Sequence, residues 1–180
     1  MRKYFLALVP PADILEKAHN IKLLIRDEFG IKYALKSPPH ITLKMPFSYN
    51  EAKEMILEKK LSDFLKGQDR FLVKIQGVGT FGNRVIFLKI EKTPELELLQ
   101  SSLKTFCKKE LNLIDELSDR NYHPHLTVAF KDLKPNQFAE VYDLVKENSF
   151  FAEFFVDDLV VLKRMDQKWT LDKRIAFGKR

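Results

Sequence analysis

The chain carries one short pattern twice: His40-Ile41-Thr42-Leu43 and His125-Leu126-Thr127-Val128. Each run reads His, apolar, Thr, apolar. Side chains at i and i+2 of a β-strand face the same side. As strands, both runs show a His and a Thr on one face and bury two apolar residues on the other. The second run begins 85 residues after the first, near half of the 180-residue length. That repetition constrains the fold, because it requires two halves that each contribute one strand to a shared face.

The flanking sequence repeats in the same sense. Residues 3–9 read as a buried strand, stopped by Pro10-Pro11. Ile14, Leu15, Ala18, Ile21, Leu24 and Ile25 recur at helical spacing, so a helix is expected from Ala12 to Phe29, with Gly30 as its stop. A loop over 31–38 leads to the strand His40–Leu43, and a second helix is expected from Ser48 to Lys66, capped by Ser48 or Asn50. Strands Phe71–Gly79 and Arg84–Ile90 flank a hairpin turn at Gly82-Asn83. Thr93-Pro94 opens a third helix to Leu111, since Thr caps and Pro suits the first helical position. A polar loop, Asp115–Asn121, precedes the strand His125–Phe130. A fourth helix, Pro135–Glu147, and three strands, Phe150–Val156, Leu159–Lys163 and Trp169–Phe177, complete the chain. The expected class is α+β, with one domain over residues 1–180.

Composition narrows the function. Hydrophobic residues make up 45% and charged residues 31%, the balance of a chain that builds its own core. Fifteen Phe point to an aromatic-rich core. The net charge of +6 favours an anionic partner such as RNA or a nucleotide. No apolar run reaches membrane-spanning length, so no membrane partner is expected. Cys107 is the sole cysteine, which precludes an internal disulfide and suits a reducing cytoplasm. Near Leu103 and Phe106 it reads as a packing residue. A monomer is the expected state.

The paired motifs point to phosphoryl chemistry. Imidazole ionises near neutrality and serves as either acid or base. Hydrolysis of a 2′,3′-cyclic phosphate needs one group to take a proton from water and another to protonate the leaving ribose oxygen. Two His on opposite sides of a phosphorus suit that in-line displacement. Thr hydroxyls beside them can hold the non-bridging oxygens. This logic requires no metal and no cofactor.

Read with their prolines, Pro39-His40-Ile41-Thr42-Leu43 and Pro124-His125-Leu126-Thr127-Val128, the motifs resemble those of the 2H phosphoesterases, including the bacterial 2′-5′ RNA ligase-like proteins. The resemblance extends along the chain, through Gly77-Val78-Gly79-Thr80-Phe81, the strand Arg84–Ile90 and Trp169. It implies a bilobed α+β fold: two pseudo-symmetric, interleaved lobes of antiparallel sheet, helices outside and a central groove. It also implies that His40 and His125 are the acid/base pair and that Thr42 and Thr127 bind phosphate. Members of that family hydrolyse cyclic phosphodiesters or 2′-5′ linkages, or join RNA ends through 2′-5′ bonds without ATP. The implied partners are RNA ends or small nucleotides.

Lys44, Phe47, Phe81, Arg84, Arg120, Tyr122, His123, Phe130 and Lys131 are candidates for the groove's border, where an aromatic can stack on a base and a cation can meet a second phosphate. Core packing is the alternative for the three Phe, and a solvated side chain for Lys44. Two other functions compete. His40, His123 and His125 could together offer three imidazoles to zinc, as in a zinc-dependent hydrolase. The groove could also bind RNA or nucleotides without turnover. His19, on the first helix, reads as a surface residue.

Overall fold

The first strand is apolar at almost every position because both of its faces are covered. The computed structural model describes residues 1–178. In it β1 (Arg2–Leu8) turns Tyr4, Leu6 and Leu8 into the main core, while Phe5 and Ala7 join a smaller cluster with Val160 and Leu162. β1 lies between β2 (Ile41–Tyr49) and β7 (Asp158–Met165), and β8 (Lys168–Ala176) completes a sheet ordered β2-β1-β7-β8. The second sheet is ordered β5-β4-β3-β6, from β3 (Phe71–Phe81), β4 (Val85–Ile90), β5 (His125–Phe130) and β6 (Ala152–Val156). Every pairing is antiparallel. The helices are α1 (Ala12–Phe29), α2 (Glu54–Leu65), α3 (Pro94–Glu110), α4 (Leu117–Arg120) and α5 (Phe138–Asn148).

The internal repeat has a topological form. β1-α1-β2 and β4-α3-β5 are matching strand-helix-strand units whose helix returns the chain antiparallel beside the strand it left. In each unit the His-x-Thr strand is the outer strand of its sheet. β3 and β6 complete the second sheet and β7 and β8 the first, so the two halves interleave.

Most of the expected elements appear with their signals. α1 ends at Gly30, whose φ of 72° is the left-handed stop a residue without Cβ adopts freely. Thr93 caps α3 by accepting the Leu96 amide at 3.3 Å. Three expectations need correction. The helix assigned from Ser48 begins at Glu54, because β2 runs on through Pro46 to Tyr49. β2 is an edge strand, and there a proline forfeits no ladder bond that matters. Asn50 does cap, but it caps the 3₁₀ turn Glu51–Lys53 that precedes α2. The polar loop Asp115–Asn121 contains α4, closed by a reciprocal capping box between Glu116 and Asp119. The core is also less aromatic than expected: it is mostly Leu, Ile and Val, while Phe81, Phe151 and Phe155 are exposed.

Two lysines lie inside. Lys44, expected at the groove's border, is fully buried and ion-paired with buried Asp119, and it also donates to the Ile114 carbonyl at 2.8 Å. Asp119 accepts the amides of Met45 (2.8 Å) and Glu116 (2.9 Å), and Gln100 donates to its carbonyl at 3.1 Å. This network fastens the segment 114–120 to β2. Lys22, on the apolar face of α1, is 2% exposed and donates to the carbonyls of Ala34 (3.1 Å) and Ser37 (3.2 Å). No carboxylate pairs with it among the described residues. Burial pushes its ammonium down to about 7. Its two acceptors belong to the turn that delivers Pro38-Pro39-His40.

Asp119→Ala removes the close carboxylate partner of the buried Lys44 and leaves it only the longer pair with Asp115 at 3.7 Å, and urea unfolding is expected to show a loss of about 3 kcal/mol. Lys22 gives a pH signature. Its folded value, about 7, lies below its unfolded value of 10.5, so between them the unfolded chain binds the extra proton. The burial penalty is complete below pH 7 and is relieved as pH rises toward 10.5. The stability of the wild type relative to Lys22→Met is therefore expected to grow with pH across that window. A constant difference in urea midpoints would mean that Lys22 titrates like an exposed lysine.

Candidate active site

The two His-x-Thr strands are the facing edges of the two sheets: β2 and β5 approach one another across the groove. Each His is held in the same manner. His40 Nδ1 lies 2.7 Å from the Pro38 carbonyl oxygen, and His125 Nδ1 lies 2.6 Å from that of His123. Both acceptors sit two residues upstream, across an intervening proline. A residue before proline is confined to extended backbone, which presents its carbonyl in a fixed direction. A carbonyl only accepts, so Nδ1 carries the hydrogen in both rings. Each neutral imidazole thus keeps its lone pair on Nε2.

Aromatic rings fix the remaining freedom. His40 lies 4.7 Å from the Phe5 ring, itself in edge contact with Trp169 at 4.7 Å. His125 sits against Phe81 (5.0 Å) and Phe87 (5.2 Å), and His123 meets Phe81 at 5.4 Å. Gly79 makes room for this: a Cβ there would stand 2.4 Å from the Phe87 ring. Burial, helped by the nearby charge of Lys22, pushes His40 down to about 4. His125 contributes to that depression, so the two rings share one electrostatic environment. His125 is itself pushed below the usual imidazole range, again mainly by burial.

A cavity of about 250 Å³ opens beside the motifs, walled by Thr42, Phe81, Asn121, Tyr122, His123 and His125 among others. The Tyr122 hydroxyl is buried without a hydrogen-bond partner among the described residues, and burial drives its pKa upward. Thr42 and Thr127, each two residues after its His, are half-buried.

The nine border candidates separate clearly. Phe81, Tyr122 and His123 wall the cavity. Phe130 is half-buried in edge contact with Tyr33, and Lys131 is exposed, donating to the Tyr33 hydroxyl at 2.9 Å. Lys44 is in the buried ion pair. Phe47 is in the main core, 6.1 Å from Tyr4, because its face of β2 points away from the groove. Arg84 is exposed beside the β3-β4 turn, and Arg120 reaches back to the Asp115 carbonyl at 3.4 Å; neither walls the cavity. The three imidazoles considered for zinc do not converge: among the described residues no three His, Cys, Asp or Glu side chains are grouped to hold a metal ion. Cys107 is buried and His19 half-buried. No described helix is long and apolar enough to cross a membrane.

Sequence reasoning missed Lys22, Phe5, Phe87 and Asp119. Lys22 had a signal, a lysine among Ala18, Ile21 and Ile25 on the buried face of α1. Asp119 had one too, as the acidic member of a capping box before an apolar strand.

Comparison with known proteins agrees with this geometry. A protein of Bacillus cytotoxicus, provisionally named a phosphoesterase, is 30% identical over 182 residues, covering 98% of both chains. A Bacillus anthracis protein of the same name is also 30% identical with 98% coverage. Among solved structures, a Thermus thermophilus protein superposes with a TM-score of 0.71 at 16% identity, over 99% of both chains. Escherichia coli LigT complexed with 3′-AMP does so with a TM-score of 0.57 at 20% identity, again over 99% of both. These structural likenesses establish the 2H-type fold. Residues 10–168 match the family described as the 2′-5′ RNA ligase superfamily, and the chain belongs to it.

Proposed function

We propose that the chain hydrolyses 2′,3′-cyclic phosphate ends of RNA or nucleotides to 2′-phosphates, with imidazoles as its acid and base. Joining ends through a 2′-5′ bond uses the same groups, with a 5′ hydroxyl in place of water as the nucleophile and the P–O3′ bond again the one that breaks. The observation that carries this reading is the matched pair of Nδ1–carbonyl bonds, which leaves Nε2 of each ring free for proton transfer.

His40 is the base. Burial and Lys22 keep it neutral, so its Nε2 accepts a proton from water as the oxygen attacks phosphorus. His125, in its protonated form, gives the Nε2 proton to the departing 3′ oxygen. The P–O3′ bond breaks and the phosphate stays on O2′. Thr42 and Thr127 hydroxyls donate to the non-bridging oxygens as charge grows. The unpartnered Tyr122 hydroxyl is a further donor on the cavity wall.

The test is turnover, in EDTA, of a short RNA ending in a 2′,3′-cyclic phosphate. His40→Ala and His125→Ala are each expected to lower kcat by about 10²–10⁴-fold with the fold retained. Near-normal activity in either variant would sink the assignment. RNA binding without turnover by the wild type would favour a binding module. The pH profile separates the roles. For kcat/KM, the acid limb follows His40 at about 4, and the alkaline limb follows His125, below 6.5. Lys22→Met removes one cause of the His40 depression, so the acid limb is expected to move to higher pH while the alkaline limb stays. Movement of both limbs together would show that Lys22 acts on the whole groove and not on His40.

A further inference from the structure

A cluster of cations and aromatic rings lies along β5 from the motif. The pairing of β4 with β5 shifts register between Ile86 and Phe87, where Ala129 and Thr127 are the partners and Val128 is the extra residue. This bulge changes the alternation: Leu126, Val128 and Ala129 are buried, while His125, Thr127 and Phe130 are half-buried. Phe130 is thereby brought onto the face that carries His125 and Thr127. It lies three positions along the strand from Thr127, roughly 10 Å.

Tyr33 stands edge-on to Phe130 at 5.0 Å. Two lysines sit on its ring and hydroxyl, and the charge of a third cation acts on it from a distance. Lys131 donates to the hydroxyl at 2.9 Å, Lys36 Nζ lies 4.7 Å from the ring centroid, and Arg164, from β7 in the other sheet, adds its charge. The hydrogen bond from Lys131 comes first among the causes that lower the Tyr33 phenol pKa. Lys36, Lys131 and Arg164 form no ion pair among the described residues. The nearest carboxylate in sequence, Asp132, spends Oδ2 on the amides of Lys32 and Tyr33 at 2.8 Å each. Lys131 also holds a left-handed φ of 60°, an unfavourable conformation for a residue with a Cβ. Unscreened like charges repel, and a fold that gathers them around an aromatic ring has the makings of a site for an anion next to a base.

We propose that Tyr33, Lys36, Lys131 and Arg164 form a second-phosphate subsite that holds the adjoining nucleotide of a single-stranded RNA whose cyclic end lies between His40 and His125. This rests on the reading of the motif groove given above. The cations meet the phosphodiester, and the Tyr33 and Phe130 rings offer a face to the neighbouring base. The subsite makes the chain prefer an oligonucleotide end over a free mononucleotide.

The test compares a fluorescent ten-nucleotide RNA ending in a 2′-phosphate with a nucleoside 2′-monophosphate, by anisotropy and competition across a salt series. The double variant K36A/R164A is expected to weaken RNA binding at least tenfold relative to mononucleotide binding. Each cation removed should lower the salt slope for RNA by about 0.7. K36R/R164K, which keeps both charges, should restore most of the preference. Equal weakening of both ligands, or RNA binding that ignores K36A/R164A, would overturn the subsite. The binding arm does not depend on turnover: if cyclic ends are not hydrolysed but the preference still falls in K36A/R164A, the catalytic reading fails and the subsite stands. If turnover is normal and the preference does not change, the reverse holds.

Discussion

Everything at the candidate site depends on two sheet edges being brought face to face. β2 and β5 are each the outer strand of a four-stranded antiparallel sheet, and an outer strand offers unpaired backbone that invites foreign pairing. Here both edges border a common groove, irregular and unsuited to continuous pairing. Pro46 removes a donor from β2, register shifts interrupt the β1-β2 ladder, and a bulge interrupts β4-β5. The features that keep these edges from joining a ladder also leave Thr42 and His125 on the wall of one cavity.

The two halves are alike in outline and unlike in support. Each His is clamped by the carbonyl two residues back, across a proline. Behind His40, however, lie Phe5 and the buried ammonium of Lys22; around His125 lie Phe81 and Phe87. A symmetric pair of imidazoles would have no reason to divide the work of acid and base. The unequal surroundings set the two rings apart, since a cation near one ring opposes its protonation.

Much of this was legible in the sequence, for identifiable reasons. The motif strands, α1 with Gly30, the Gly82-Asn83 turn and the Thr93-Pro94 helix start are local signals that tertiary packing did not override. The run of β2 beyond Leu43 was not legible, because a proline inside a strand, here Pro46, is tolerated only at an edge, and edge status is a property of the assembled sheet. Lys44 misled for a similar reason. Next to a His-x-Thr motif it reads as an anion binder, but its partner Asp119 is 75 residues away in sequence. Tyr33, Lys36 and Arg164 carry no motif at all; they are neighbours only after both sheets have formed.

The path of the chain has a consequence for how the protein is made. β1 is made long before one of its two partner strands, β7, which begins at Asp158. Its Phe5 and Ala7 face awaits Val160 and Leu162, which come much later in the chain. The first sheet, and with it the packing around the ring that backs His40, is completed only once β7 and β8 have been made. The β3-β4 hairpin and the β5 strand can associate earlier, since they need no residue beyond 130. During synthesis the nascent chain therefore holds an apolar strand in waiting until β7 emerges to cover it.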